Sequence, residues 1–278
     1  MTLQGVRDCG MPRQALCACG VAWGFTYTGV SCMRSSLVLA VVLSAAVATP
    51  AAAQFPPDHP KNLKVLPMDI PVRALLDTMR NFTGALGVRC NFCHVGQEGA
   101  PLSSYDFAAD DKPEKAKARV MLRMVKAIDG EYLTQLPSRT QPAVVVTCMT
   151  CHRGVSIPYP LDQVILTAYD SGGVDSATAK YNALRERYYG RASYDFSEAA
   201  LAAVSQSLIS RGKAADAAKL SALNTRMSPN SAFAFRQAAD AQLAAGDTSG
   251  AVASLQRVLS INPNDRQAKA ALDKVKKP

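Results

Sequence analysis

Cys90-Asn91-Phe92-Cys93-His94 and Cys148-Met149-Thr150-Cys151-His152 are two copies of one pattern, C-x-x-C-H. The spacing has a chemical logic. Two thiols three positions apart can each add to one vinyl group of a single porphyrin, and the next residue then sets an imidazole under the iron as its proximal ligand. At ordinary cysteine and histidine frequencies one such match arises by chance in roughly one chain in a thousand of this length, so two matches are not coincidence. The rival readings of a lone pair of this kind are a thioredoxin-like redox C-x-x-C and half of a zinc site.

Working outward, the N-terminus separates from the rest. Met33-Arg34 precedes an apolar run from Leu37 to Val47, and Ala51-Ala52-Ala53 stands before Gln54. A positive n-region, a short apolar h-region and an A-x-A-like cleavage site make residues 33–53 a signal peptide, too short to span a bilayer comfortably. The mature chain is expected to start at Gln54, without a cysteine for a lipid anchor and without a transmembrane anchor after cleavage. Residues 1–32, which precede the signal, are read as a non-native upstream extension.

Cleavage simplifies the cysteine arithmetic. Of eight cysteines, Cys9, Cys17, Cys19 and Cys32 are removed, and the four that remain all sit in C-x-x-C-H motifs. No thiol is left over for a structural disulfide. Covalent haem attachment to an exported protein accounts for this, and the implied location is the periplasm. The same cleavage takes the formal charge from +9 to +7. A basic surface can steer an acidic partner protein or favour an anionic membrane. No basic run with interleaved aromatics points to nucleic acid.

The mature chain reads as mostly α. Asp69 and Pro71 form a helix start, followed by a stripe of Val72, Leu75, Leu76, Met79, Phe82 and Leu86 with Gly87 as its stop. Pro113 and Glu114 open a second helix whose apolar face is Ala118, Met121, Leu122, Val125 and Ile128, with Gly130 ending or interrupting it. Each haem motif therefore follows a methionine-bearing helix. Residues 54–165 form the expected dihaem domain, and residues 166–194 a helical connector with helix from about Val174 to Tyr189. In residues 195–278, Ser228-Pro229-Asn230-Ser231 and Asn262-Pro263-Asn264-Asp265 lie 34 residues apart, as do Gly212 and Gly246, and Ala217 and Ala251. That period marks tetratricopeptide-like helical hairpins. Two repeats are few for independent stability, which predicts docking against the rest of the chain.

Histidine is scarce. Only His59 remains once His94 and His152 serve the motifs, so bis-histidine ligation at both haems is impossible within one chain. Met79 and Met121 lie on the inward stripes just upstream of each motif. On spacing alone they serve equally well as distal ligands or as core fillers.

Met79 through the first C-x-x-C-H, with Leu86-Gly87 between, resembles a haem-binding segment of the photosynthetic reaction-centre cytochrome c subunit family. So does the second block: Ala118-Arg119-x-Met121-x-x-Met124, then Ala127-Ile128, then Val146-Thr147-Cys148-x-x-Cys151-His152-Arg153-Gly154. In that family a helix along one haem face donates a methionine opposite the motif histidine. The resemblance implies the axial pairs Met79 with His94 and Met121 with His152, Met124 being the runner-up to Met121. The chain departs from the family's usual members in having two haem motifs instead of four and a helical tail.

The reading is an exported cytochrome with two covalent haem c groups, His/Met-ligated, that passes single electrons between redox partner proteins. The C-terminal hairpins are a candidate docking surface. The rivals are a dihaem peroxidase-like enzyme with one open haem, and a tetratricopeptide-like scaffold whose haems are structural. N-terminal sequencing of exported protein is expected to begin at Gln54, and recovery of Cys9 or Cys17 in the mature form would refute the signal assignment.

Overall fold

The structure is a computed structural model that describes residues 55–56 and 59–276. The upstream extension, the signal peptide and the cleavage site fall outside the described residues.

Helix α1 spans Val72–Leu86. Its N-cap is Pro71, not Asp69, and no side chain caps it; the first backbone bond is Leu75 N to Pro71 O, 3.0 Å. Pro71 removes one unpaired N–H from the helix start, and its fixed φ of −56° sets the entry into the first turn. The expected apolar stripe, Met79 included, is half-buried, and Ala85 is fully buried. The helix stops at Gly87, whose backbone is left-handed at φ 65°. The first motif follows as a single 3-10 turn, Cys90–Phe92.

Helix α2, Pro113–Ala127, starts on proline with Glu114 in its first turn. It does not end at Gly130. The ladder loosens into a π-helical turn over Ile128–Tyr132 that contains this glycine, then tightens into a 3-10 turn over Leu133–Gln135. The second motif is itself a short helix, α3, Cys148–His152, closed at its N-terminus by a capping box between Thr147 and Thr150.

Helix α4 runs over Leu161–Tyr188 with a break at Gly172 and Gly173, the latter at φ 68°. The sequence reading found only its second half. The helix begins thirteen residues before Val174, the break between its halves hides the continuity, and Pro160 sets its start. Then come α5 (Glu198–Ser210), α6 (Ala214–Met227), α7 (Ala232–Ala244), α8 (Thr248–Ile261) and α9 (Arg266–Lys276). The helices α5, α7 and α9 start 34 residues apart, as do α6 and α8. Each packs on the next, α5 also meets α7, and α4 lies against α5 and α6. Gly212 and Gly246, both left-handed, turn the hairpins α5–α6 and α7–α8.

Burial is uneven. From Leu161 onward two apolar clusters form, one around Ile165, Tyr181, Leu201, Val204, Leu208 and Leu220, the other around Ala239, Leu255, Val258 and Leu272. Between residues 59 and 160, by contrast, the only fully buried hydrophobic residues are Ala85 and Val155.

The first part is fastened at one point of close approach. Gly154 N donates to Ala85 O at 2.8 Å, joining the residue pair after the second motif to the end of α1. A Cβ on Gly87 would lie 2.0 Å from Gly154 O. Gly87→Ala therefore meets both a backbone clash and a left-handed φ. The expected cost is about 2–5 kcal/mol, summing overpacking and the handedness penalty, read as a lowered thermal midpoint. An unchanged midpoint would contradict this junction.

Candidate functional site

The two motifs differ in how the chain holds them. In α3, the Nδ1 of His152 is 3.0 Å from Val155 O. With Nδ1 carrying the proton to that carbonyl, Nε2 is left with its lone pair, the arrangement a metal-ligating imidazole needs. His94, in contrast, has a buried Nδ1 with no hydrogen-bond partner. Its ring meets the edge of Phe107 at a centroid distance of 5.0 Å. Burial first, then the charge of Lys115, pushes the His94 imidazole below its ordinary range, although the backbone of Phe107 opposes this. A neutral imidazole is the form that ligates.

None of the four thiols is in a disulfide. Burial raises the pKa of both Cys93 and Cys148. Among the described residues no three of His, Cys, Asp and Glu gather as a metal-ion cage.

The remaining candidates are spread over two helices. Met79 is half-buried on α1, whereas Met121 and Met124 on α2 are 41% and 45% exposed. Helix α2 bridges the motifs. At its start, Lys112 Nζ donates to Asn91 O inside the first motif. At its far end, Asp129 Oδ1 accepts from Val146 N at 2.8 Å, two residues before Cys148.

Haem c suits this donor set. Each motif offers two thiols and one imidazole. An orphaned buried nitrogen sits at one of them and a tautomer-fixing carbonyl at the other. Around both, a stretch of about a hundred residues leaves Val120, Leu136, Val144 and Val145 exposed and closes almost no core from its own side chains. An apolar macrocycle bonded to the chain supplies the kind of surface such residues lack.

Comparison with known proteins agrees. Residues 37–181 match the family described as the photosynthetic reaction centre cytochrome C subunit. The chain belongs to this family. Cytochrome c-554 of Chloroflexus aurantiacus is 39% identical over 70 residues, which cover 25% of this chain and 14% of that protein. The photosynthetic reaction center cytochrome c subunit of Rubrivivax gelatinosus is 34% identical over 89 residues, covering 29% of this chain and 22% of that one. The chain thus spans less than a quarter of the length of these curated relatives. The family match runs through residue 181, into the second half of α4, and leaves α5–α9 outside it.

Within this cytochrome the sequence reading missed one polar hub. Asp110 accepts from Lys64 at 2.7 Å, Arg119 and Asn62 each at 2.9 Å, and lies 3.2 Å from Lys115. Lys115 also donates to the carbonyls of Phe107, Ala108 and Ala109 at 2.9, 2.9 and 2.7 Å. The loop carrying the ring against His94 is thereby tied to α2 and to the N-terminal segment. In sequence, residues 95–112 read as a polar connection that ends at the Pro113 helix start, and only the fold shows that Asp110 is the carboxylate that gathers the cations.

The bonds from Arg119, Lys64 and Asn62 hold the Asp110 carboxyl well below the usual carboxylate range. A depressed folded pKa stabilises the protein above the unfolded value of about 4 and loses that stabilisation as pH falls below it. Asp110→Asn is expected to lower the thermal midpoint at neutral pH, with the gap to wild type steady down to about pH 4 and closing below it. Calorimetry over pH 2–8 checks this; a gap that closes between pH 5 and 7 would assign the effect to another group.

Proposed function

We propose that this chain is an exported dihaem c-type cytochrome that carries single electrons between redox partner proteins. The observation that carries the reading is the pair of C-x-x-C-H segments joined at one backbone junction in a region with almost no core of its own. Haem c, when bound, supplies a one-electron iron couple. Cys90 and Cys93, and Cys148 and Cys151, hold the two groups. His94 and His152 are the proximal ligands; Met79 and Met121 are the distal ones, with Met124 as the alternative to Met121. Ligation of each iron by one of these histidines and one of these methionines would raise the potential and saturate the iron, favouring electron exchange over substrate binding.

The Ala85–Gly154 contact supports transfer between the sites. Cys90 lies three residues beyond Gly87, and His152 two before Gly154. At no more than about 3.6 Å per residue, the two attachment segments approach within about 25 Å of each other. We read α5–α9 as tetratricopeptide-like hairpins, supported by helix starts that recur every 34 residues. Among the described residues no helix is long and apolar enough to cross a membrane.

The denatured, exported protein is expected to exceed its apoprotein mass by two haems; one haem, none, or stoichiometric zinc overturns the reading. In the holoprotein, Met79→Ala and Met121→Ala should each open one iron to carbon monoxide and lower that haem's potential. If Met124→Ala does so and Met121→Ala does not, the ligand is Met124. Carbon monoxide binding by wild type would move the peroxidase-like reading ahead.

A further inference from the structure

Beside the Ala85–Gly154 junction the surface opens into a groove of ≈ 580 Å³. Its floor is chain leading into or out of the two motifs: Val88, two residues before Cys90, and Val155, three after His152. Its far wall is the second half of α4, with Lys180, Leu184 and Arg187. None of the four motif cysteines and neither motif histidine lines it, so it is distinct from the attachment sites. Tyr159 and Tyr194 line both this groove and a neighbouring hollow of ≈ 400 Å³ that reaches Cys151. Cys151 itself is exposed.

The chemistry of the rim is one-sided. The two charged residues lining the groove, Lys180 and Arg187, are both basic, and among the described residues neither pairs with a carboxylate. Arg187 lies over the Tyr188 ring at 5.1 Å, and Arg185 over the Tyr189 ring at 3.8 Å. Ile157 and Tyr159 project from the adjoining loop with 61% and 58% of their surface exposed. Exposed aromatic and aliphatic side chains beside unpaired arginine are the make-up of a protein contact core. A concave surface receives a protruding partner better than it receives a flat bilayer.

Resting on the electron-transfer reading, we propose that this groove is the docking site for an acidic redox partner protein. A partner seated there lies next to the segments that enter one motif and leave the other. One electron then passes from the donor to a ferric haem, which becomes ferrous; the donor is oxidised by one electron, and no covalent bond forms or breaks. This places docking on the groove and not on the outer face of the C-terminal hairpins.

The test uses haem-loaded full chain and an acidic one-electron donor protein, flavodoxin hydroquinone, which becomes the semiquinone. Stopped-flow reduction is compared for wild type, Lys180→Glu/Arg187→Glu, the milder Lys180→Gln/Arg187→Gln, and Lys269→Glu/Lys274→Glu on α9. The groove reversal is expected to slow reduction by about tenfold or more at low ionic strength, with the difference fading in salt. The Gln pair should fall between, and the α9 pair should stay within about twofold of wild type. Reduction by dithionite and the haem spectra should be the same in all four. Equal loss in the α9 pair, or no loss in the groove variants, overturns the proposal. So does a changed haem spectrum, which would give the groove to the cofactor, or a loss confined to binding of anionic lipid vesicles. If dithionite fails to reduce wild type, the electron-transfer reading itself falls, and the docking proposal with it.

Discussion

A single amide–carbonyl bond, Gly154 N to Ala85 O at 2.8 Å, joins the exit of the second motif to the end of α1, just before the first. It can form only because residue 87 has no Cβ, since a methyl group there would lie 2.0 Å from Gly154 O. Ending α1 at a left-handed glycine turns the chain directly into the first motif. Docking the Arg153-Gly154 turn on that same end brings the exit of the second motif to the entrance of the first. The left-handed Arg153, at φ 49°, belongs to the same device: two successive positive-φ residues stop α3 after one turn and aim the Gly154 N–H at α1. In this cytochrome the glycines are the joint between the two C-x-x-C-H segments.

The distribution of burial explains why that joint matters. The helices from α4 onward bury leucine, valine and tyrosine in two apolar clusters. The motif-bearing region has Ala85 and Val155 as its fully buried hydrophobic residues. It relies on discrete ties in place of a core: the junction, the Asp110 hub, the Asp129–Val146 bond at the far end of α2, and the Lys112 contact to Asn91. Polar ties of this kind fix geometry more than they supply stability, because exposed ion pairs are individually weak. A covalently bound apolar cofactor is consistent with that economy, as its own surface completes the packing.

Much of this was legible in the sequence. The C-x-x-C-H pairs are local, so five residues suffice to read them, and the first-helix stop at Gly87 and the Pro113 start are local signals as well. The family resemblance, quoted on Met79, Met121 and the Arg153-Gly154 pair, agrees with the match over residues 37–181. The misses have physical causes. Asp69 has the side chain that usually marks a helix start, yet Pro71 takes the N-cap position and the first turn has no side-chain cap. The first half of α4 was hidden because Gly172 and Gly173 break the periodicity that would have revealed it. Of the two readings of Gly130, an end or an interruption, the structure has the interruption, because a π turn absorbs the glycine and keeps the chain helical. The Asp110 hub was invisible because its partners, Asn62, Lys64 and Arg119, approach it from separate parts of the chain.

Identical motifs do not make identical sites. His152 has the Val155 carbonyl at its Nδ1, supplied by its own turn three residues on, and that acceptor makes the ring a stronger donor at Nε2. His94 Nδ1 has no such partner, and burial first, then the charges of Lys115, Arg119 and Lys112 on and beside α2, push its imidazole below the ordinary range. The difference follows from local structure. Helix α3 ends in a left-handed turn that curls the backbone back over its last imidazole, whereas the first motif is one 3-10 turn running out into the loop that pairs Val95 with Asp106. A carbonyl acceptor stabilises positive charge on a ring and on whatever the ring ligates, while neighbouring cations do the opposite. The asymmetry of the two sites is thus set by the backbone that follows each histidine, by the burial of the His94 ring and by the cations beside it, not by the two cysteines and the histidine that the motifs share.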